Sequence, residues 1–404
     1  MKTDFNHDEV MQVVEEDRLS RLQDELIHKI FSSFDIKFVV QTCLLSSRWK
    51  LLWTSMPYLN FSTDPSPDLQ TFDEFATHFL SHRNHQVQVS SLKLDFTGGR
   101  NQSFVKNITN YAFSHNIQEL TVHIYTNNHQ KELASFLESS HSLKHLKLFH
   151  HLPSPFTPES RFDFPALATL HLSYFKLCDF NAEESVNLFS KCVNLKKLTL
   201  RVFHINDVGV FDIITPRLSD LKIINGHLSK TINLIAPELE NLKIIDCLYI
   251  NYLNINSPRL SSFYYKGRLP LQWFNGRFYS LNKVTIDLNY ALLSKETYNE
   301  DDALKTINIL QKLHSAKYLT LNSNIIECIS SFPELLSDLP SPFINLIHLT
   351  IDYSTRSNNS EVIIKMSTEV RNFFLESSPS ATLIIKSCQD VFVKTTGWYP
   401  VAGS

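Results

Sequence analysis

One short spacing constrains this chain more than anything else in it. The pattern L-x-x-L-x-L, with other aliphatic or aromatic residues substituting, recurs about eleven times in 404 residues. The clearest copies are SLKHLKL (142–148), ALATLHL (166–172), NLKKLTL (194–200), RLSDLKI (217–223), ELENLKI (238–244), RLSSFYY (259–265), SLNKVTI (280–286) and NLIHLTI (345–351), and VSSLKL, IQELTV and AKYLTL are weaker. Counted from the first apolar residue, the copies begin at 89, 117, 143, 167, 195, 218, 239, 260, 281, 316 and 346, so the step is 21 residues in the middle and longer towards both ends. Each copy carries one apolar edge that it cannot bury alone, and stacking neighbours closes the core.

The reading that follows is a leucine-rich-repeat solenoid. The x-L-x-L portion is a short strand with one face buried, and the first Leu packs beneath the turn that enters it. In the 21-residue stretch Pro216, Pro237 and Pro258 stand at identical offsets before the strands, where a missing N–H is harmless because the ladder has not begun. Short repeats leave little room for helices, so TINLIAP and YLNINSP read as extended, whereas AEESVNLFSKC and EDDALKTINILQKL have helical spacing. The carboxyl-terminal ATLIIKSC reads as a strand. The fold class is α/β: a small amino-terminal three-helix unit followed by a curved solenoid with a parallel concave sheet.

Composition removes several function classes. Only 8 residues are Gly, and their positions allow neither GxGxxG nor GxxxxGK, the turns that bring backbone close to phosphate. HExxH, GxSxG and CPxxC are absent, so no catalytic residues are assigned. The 38 basic and 41 acidic side chains are mixed along the chain, with no overall field for nucleic acid or membrane. The amino terminus lacks the pattern of a signal peptide, and no apolar run approaches a membrane span. Six separated cysteines with no CxxC suit reduced thiols, and the four N-x-[ST] sequons read as chance. These features predict an intracellular chain, cytoplasmic and/or nuclear, without cofactor. His78, His82 and His85 read as a solvated helix face, and His141, His145, His150 and His151 as scattered over several faces, so no metal is assigned.

Residues 17–61 break the repeat and read as three short helices. Leu26, Ile27, Ile30, Phe31 and Phe34 fall on one face of the first, with Gln23, Asp24 and Glu25 in its opening turn; Phe38, Val39, Val40, Cys43 and Leu44 mark the second. Trp49, Leu52 and Trp53 mark the third, which Pro57 stops. A unit this small carries more apolar side chains than it can bury, which implies a partner. DRLSRLQDEL, Ile36 to Thr42, LSSRWKLLW and P-x-L-x-F together resemble an F-box, especially as found in plant F-box/leucine-rich-repeat proteins. On that likeness 1–16 is an acidic tail, 17–61 the F-box, 62–86 a linker and helix, and 87–404 a solenoid of eleven or twelve repeats.

The resemblance implies a non-catalytic substrate receptor of a Skp-cullin-F-box ubiquitin ligase, docking on a Skp-type adaptor and through it on a cullin. Leu19, Leu22, Gln23, Glu25, Leu26, Ile30, Val39, Trp49, Leu52 and Trp53 become candidate adaptor contacts. One departure stands out: Gln23 occupies the place of a Pro that usually follows the Leu, which removes a constraint on the helix start. Other readings are a repeat scaffold with no ubiquitin chemistry and a hormone-type small-ligand receptor. In each strand the residue between the two apolar positions faces the concave side. Lys93, Lys147, His171, Lys222, Lys243 and Tyr264, with neighbouring Lys197, therefore form the candidate target surface, biased towards an acidic or phosphorylated protein.

Overall fold

The apolar spacing maps directly onto burial. In every one of the eleven copies all three apolar positions are buried, from Val89, Leu92 and Leu94 to Leu346, Leu349 and Ile351. A computed structural model describes residues 21–63, 69–96, 103–125, 142–151, 163–177, 187–205, 209–227, 231–268, 271–276, 278–289, 298–353, 366–386 and 393–395. They fall into two units, one running up to Phe96 together with Ser103–Ile117, the other from Gln118 onward.

The first unit begins with helices α1 (Asp24–Phe31) and α2 (Ile36–Gln41), followed by 3-10 turns at Thr42–Leu44 and Leu52–Ser55. Strand β1 (Tyr58–Ser62), helix α3 (Leu69–Ser81), strand β2 (Ser91–Phe96) and helix α4 (Ser103–Ser114) complete it. The expected third helix around Trp49–Trp53 is instead a run of turns. The Leu52 carbonyl lies 3.0 Å from His28 Nε2 of α1, and Met56 N–H turns back onto the Trp53 carbonyl. The backbone groups that would extend a helix are thus already engaged.

Strand β1 adds one more copy of the repeat's spacing ahead of the eleven. Met56, Leu59 and Phe61 are all buried at the repeat's spacing, and β1 pairs in parallel with β2, Leu59 opposite Leu92 and Phe61 opposite Leu94. A copy of the repeat therefore lies inside the segment read as helical. Asp35 ties this strand to α2. Its carboxylate accepts from Lys37 N–H at 2.8 Å as the helix cap and from Ser62 N–H at 2.7 Å, while burial pushes its pKa up.

In the second unit the strands are β3 (Glu119–Ile124), β4 (His145–His150), β5 (Thr169–Leu177), β6 (Lys197–Ile205), β7 (Val210–Ile214), β8 (Asp220–His227), β9 (Thr231–Ile235), β10 (Asn241–Ile245), β11 (Tyr252–Asn256), β12 (Ser262–Gly267), β13 (Trp273–Gly276), β14 (Lys283–Leu288), β15 (Tyr318–Asn322), β16 (His348–Asp352), β17 (Thr382–Lys386) and β18 (Val393–Thr395). The main sheet takes the order β3-β4-β5-β6-β8-β10-β12-β14-β15-β16-β17-β18, parallel from β3 to β17 with β18 antiparallel at the end. Where the step is 21 residues a second parallel sheet, β13-β11-β9-β7, backs the first, as the extended reading of TINLIAP and YLNINSP expected. Asp212, Asn233 and Asn254 stand 21 residues apart on it and bond in series at 2.9 Å.

Longer steps use helices, Glu300–Lys312, Ser323–Ser330 and Thr368–Leu375. The helix expected over AEESVNLFSKC is not seen: residues 187–192 form turns, and 182–186 lie outside the described residues. On β5, β6 and β8 the left-handed residues Tyr174, Val202 and Asn225 interrupt the alternation at matching points. Phe175 and Phe203 then turn inward and stack at 5.0 Å, and Gly226 takes the next place because a Cβ there would lie 2.6 Å from the Phe203 ring.

Candidate functional site

Helix α1 carries two apolar stripes one residue apart. Ile27 and Phe31 point inward, Phe31 packing edge-on to Trp49 at 5.5 Å, while Leu26 and Ile30 are 49% and 44% exposed. Leu44, Leu45 and Leu51 are more exposed still, at 86%, 73% and 70%, and Phe34 and Phe38 add to them. Five of the sequence-derived contact candidates thus meet different fates from Leu26 and Ile30. Val39, Trp49 and Leu52 are buried and belong to the internal packing, because the small unit spends its largest side chains on its own core. Trp53 is half-buried, lies 5.2 Å from Phe79 and donates its indole N–H to the Lys50 carbonyl. Leu22 is half-buried and its carbonyl accepts from Arg48 at 2.5 Å, while Arg48 also pairs with Asp24 at 2.5 Å.

Gln23 and Glu25 are exposed, and Leu19 lies outside the described residues. Gln23 is the cap residue of α1 rather than its first turn, with φ −64° and no side-chain bond to the helix. The sequence reading missed Phe34, Phe38, Leu44, Leu45 and Leu51 as exposed candidates. Their apolar character was legible, but which of two adjacent stripes faces out depends on what packs against the other.

The row of residues between the paired apolar positions is in register across the second unit. It runs Thr121, Lys147, His171, Thr199, Lys222, Lys243, Tyr264, Thr285, Thr320 and Thr350, each directly opposite the next. Lys147, Lys222 and Lys243 are exposed, and Lys243 Nζ sits 5.9 Å from the Tyr264 ring centre. Lys197 is exposed in the neighbouring row, opposite Asp220. Lys93 lies on β2 in the first unit, opposite Asn60.

Charge is arranged differently at the two ends of this row. Strands β4, β5 and β6 contain no acidic residue. Further on, Lys266 pairs with Asp287 at 2.9 Å and Lys386 with Asp352 at 3.8 Å, and Asn322 donates to Asp287 at 2.9 Å. His171 sits among unbalanced cations. Burial first, then Lys147, Arg201 and Lys222, hold its pKa below the usual imidazole value. Elsewhere His78 and His82 stack on each other at 4.0 Å, and no three metal-ligating side chains gather among the described residues. No helix among those residues is long and apolar enough to cross a membrane.

The family model for the F-box domain matches residues 19–61, and that for the leucine-rich repeats of FBD-associated F-box protein At5g56370 matches residues 105–262. The two matches set an F-box segment ahead of leucine-rich repeats, the pairing seen in plant F-box/leucine-rich-repeat proteins. Among similar proteins of Arabidopsis thaliana, F-box/FBD/LRR-repeat protein At3g52680 is 34% identical over 222 residues, covering 52% of this chain and 46% of its own length. Putative FBD-associated F-box protein At1g55030 is 29% identical over 223 residues, 54% and 51% of the two chains. Putative F-box/FBD/LRR-repeat protein At5g25850 is 32% identical over 207 residues, 51% and 41%. The chain thus aligns with about half the length of these relatives. Its exposed leucines cluster in the F-box match, and its acid-free strands lie in the repeat match.

Proposed function

We propose that this protein is the substrate-recognition subunit of a Skp-cullin-F-box ubiquitin ligase, acting in the cytoplasm or nucleus and carrying no catalytic residues of its own. The observation that carries the reading is the exposed apolar surface of Leu26, Ile30, Leu44, Leu45 and Leu51 within the segment matching the F-box domain. So many large aliphatic side chains left in water on so small a unit fit a dry contact with a Skp-type adaptor, which would bring a cullin. Residues 17–61 would form the docking module and 87–404 the array that captures a target protein, with an acidic or phosphorylated segment suited to the cations of the sheet.

The test is co-purification of the full chain with a Skp-type adaptor. Leu26→Asp places a charge in the contact and abolishes capture, whereas Val39 and Trp49, buried in the unit, are unsuitable probes because their loss unfolds it. Unchanged capture by Leu26→Asp removes the docking reading. Target capture that persists without any adaptor or cullin would favour a plain repeat scaffold.

A further inference from the structure

We propose that the outward face of β4, β5, β6 and β8, centred on His171, binds the phosphate group of a phosphoserine or phosphothreonine in a target protein. The proposal rests on the reading that the repeat sheet captures a target, and it is tested apart from adaptor docking.

Four features converge there. Lys147, His171, Thr199 and Lys222 are consecutive members of one register row, and Arg201 stands two residues beyond Thr199 on the same face of β6. Lys147 and Lys222 are three strand spacings apart, about 14 Å, so their long side chains can lean towards a common anion above His171 and Thr199. Lys147, Arg201 and Lys222 are exposed and have no carboxylate partner among the described residues, unlike Lys266 and Lys386 on later strands. Nε2 of His171 is shielded from solvent and has no hydrogen-bond partner among the described residues. A buried polar atom of that kind normally has a partner, and a ligand oxygen would supply one.

The chemistry favours phosphate over a lone carboxylate. A phosphate monoester brings close to two negative charges and three acceptor oxygens to one point, so it can meet cations from three strands and the Thr199 hydroxyl together. A carboxylate meets one or two of them. Nucleic acid fits less well because ring faces are already covered: His123 and Phe149 stack on each other at 4.6 Å, and Tyr125 and His151 at 4.4 Å. Rings stacked on one another offer fewer faces free for bases.

His171 adds a proton-linked signature. Lys147 from β4, Arg201 from β6 and Lys222 from β8 are the charged groups that face it, and with burial they keep it neutral. A bound dianion offsets those charges, so phosphate binding is accompanied by proton uptake at the imidazole, which then donates to the ligand.

The experiment uses the full chain and short fluorescent peptides with a central phosphoserine and randomised flanks, beside the same peptides after phosphatase treatment and a single-stranded RNA of mixed sequence. The expected result is preferential capture of the phosphorylated pool, by about tenfold or more, with Lys147→Glu, Arg201→Glu and Lys222→Glu each removing most of that preference. Lys283→Glu, an exposed reversal further along the sheet, leaves it in place. Proton uptake on binding is seen with the wild type and lost with His171→Gln. Equal capture of dephosphorylated peptides overturns the proposal, as does an equal effect of Lys283→Glu, or RNA captured in preference and lost through the same three reversals. Adaptor co-purification from the same preparations reports on the docking reading independently.

Discussion

In the F-box match the side chains left without partners are apolar, with Leu44, Leu45 and Leu51 mostly exposed; on β4, β5, β6 and β8 they are cations, with Lys147, Arg201 and Lys222 facing no carboxylate among the described residues. Neither arrangement stabilises its own unit. Exposed leucines forgo burial worth about 1.5–3 kcal/mol each, and like charges on neighbouring strands repel. The later strands show what the same sheet does when no such demand applies, since there Asp287 and Asp352 neutralise the lysines beside them. The contrast teaches that the two surfaces suit partners of different kinds, one gained by excluding water and one by supplying negative charge.

Salt should separate them most sharply. Raising ionic strength from about 0.1 to 0.5 M shortens the screening length to a few ångströms. Capture of a Skp-type adaptor should hold or tighten under this change, whereas phosphopeptide capture should fall by an order of magnitude or more. Parallel binding isotherms check this, and a matching salt loss on both surfaces would erase the distinction. Leu45→Asp belongs to the same comparison and should cost the adaptor interaction at least about 100-fold, since a charge is forced into a dry contact.

Stability should differ along the sheet by a smaller margin. Asp287→Asn breaks the pair with Lys266 and disturbs the bond from Asn322, and should lower stability by about 1–2 kcal/mol in chemical denaturation. Lys222→Gln, which removes a cation with no carboxylate partner among the described residues, should stay within about 0.5 kcal/mol of wild type or rise slightly. Equal losses would mean that the front of the row is paired in solution.

Gln23→Pro probes the F-box side. The residue's φ of −64° already fits proline, and its N–H makes no hydrogen bond among those described, so the chain should gain about 0.4–1 kcal/mol with adaptor capture equal or tighter. Reduced capture would show that Gln23 touches the adaptor itself.

The smallest effect concerns pH. Because its folded pKa is depressed, the His171 contribution is present above the unfolded value near 6.5 and is lost as pH falls through the depressed folded value. The melting temperature of the wild type should therefore fall relative to His171→Gln between about pH 7 and 5, by a degree or two. A constant difference would place the imidazole in an environment with no unbalanced cations.

Much of this was legible in the residues alone. The strand positions, the buried partners and the outward row from Thr121 to Thr350 followed from a two-residue alternation that is a local property of the backbone. The copy at Met56, Leu59 and Phe61 obeys the same rule but was hidden because it lies within a segment read as helical. The failure at Trp49 to Trp53 has a different origin, since the spacing suited a helix but the Leu52 carbonyl is met by His28 and the Met56 N–H returns to the Trp53 carbonyl.

By itself, then, the sequence determined where strands would form, which side chains would line their core and that the amino-terminal segment held more apolar surface than it could bury. Tertiary structure decided which apolar residues were left over, since Leu26 and Ile27 are adjacent and differ only in what packs against them. It also decided which charges found partners. Lys266 and Asp287 are 21 residues apart in the chain and meet because β12 and β14 lie side by side in register, whereas no acid stands at the corresponding positions of β4, β5 and β6. Alternation acts between nearest neighbours along the backbone, while burial and pairing depend on segments brought together from far apart.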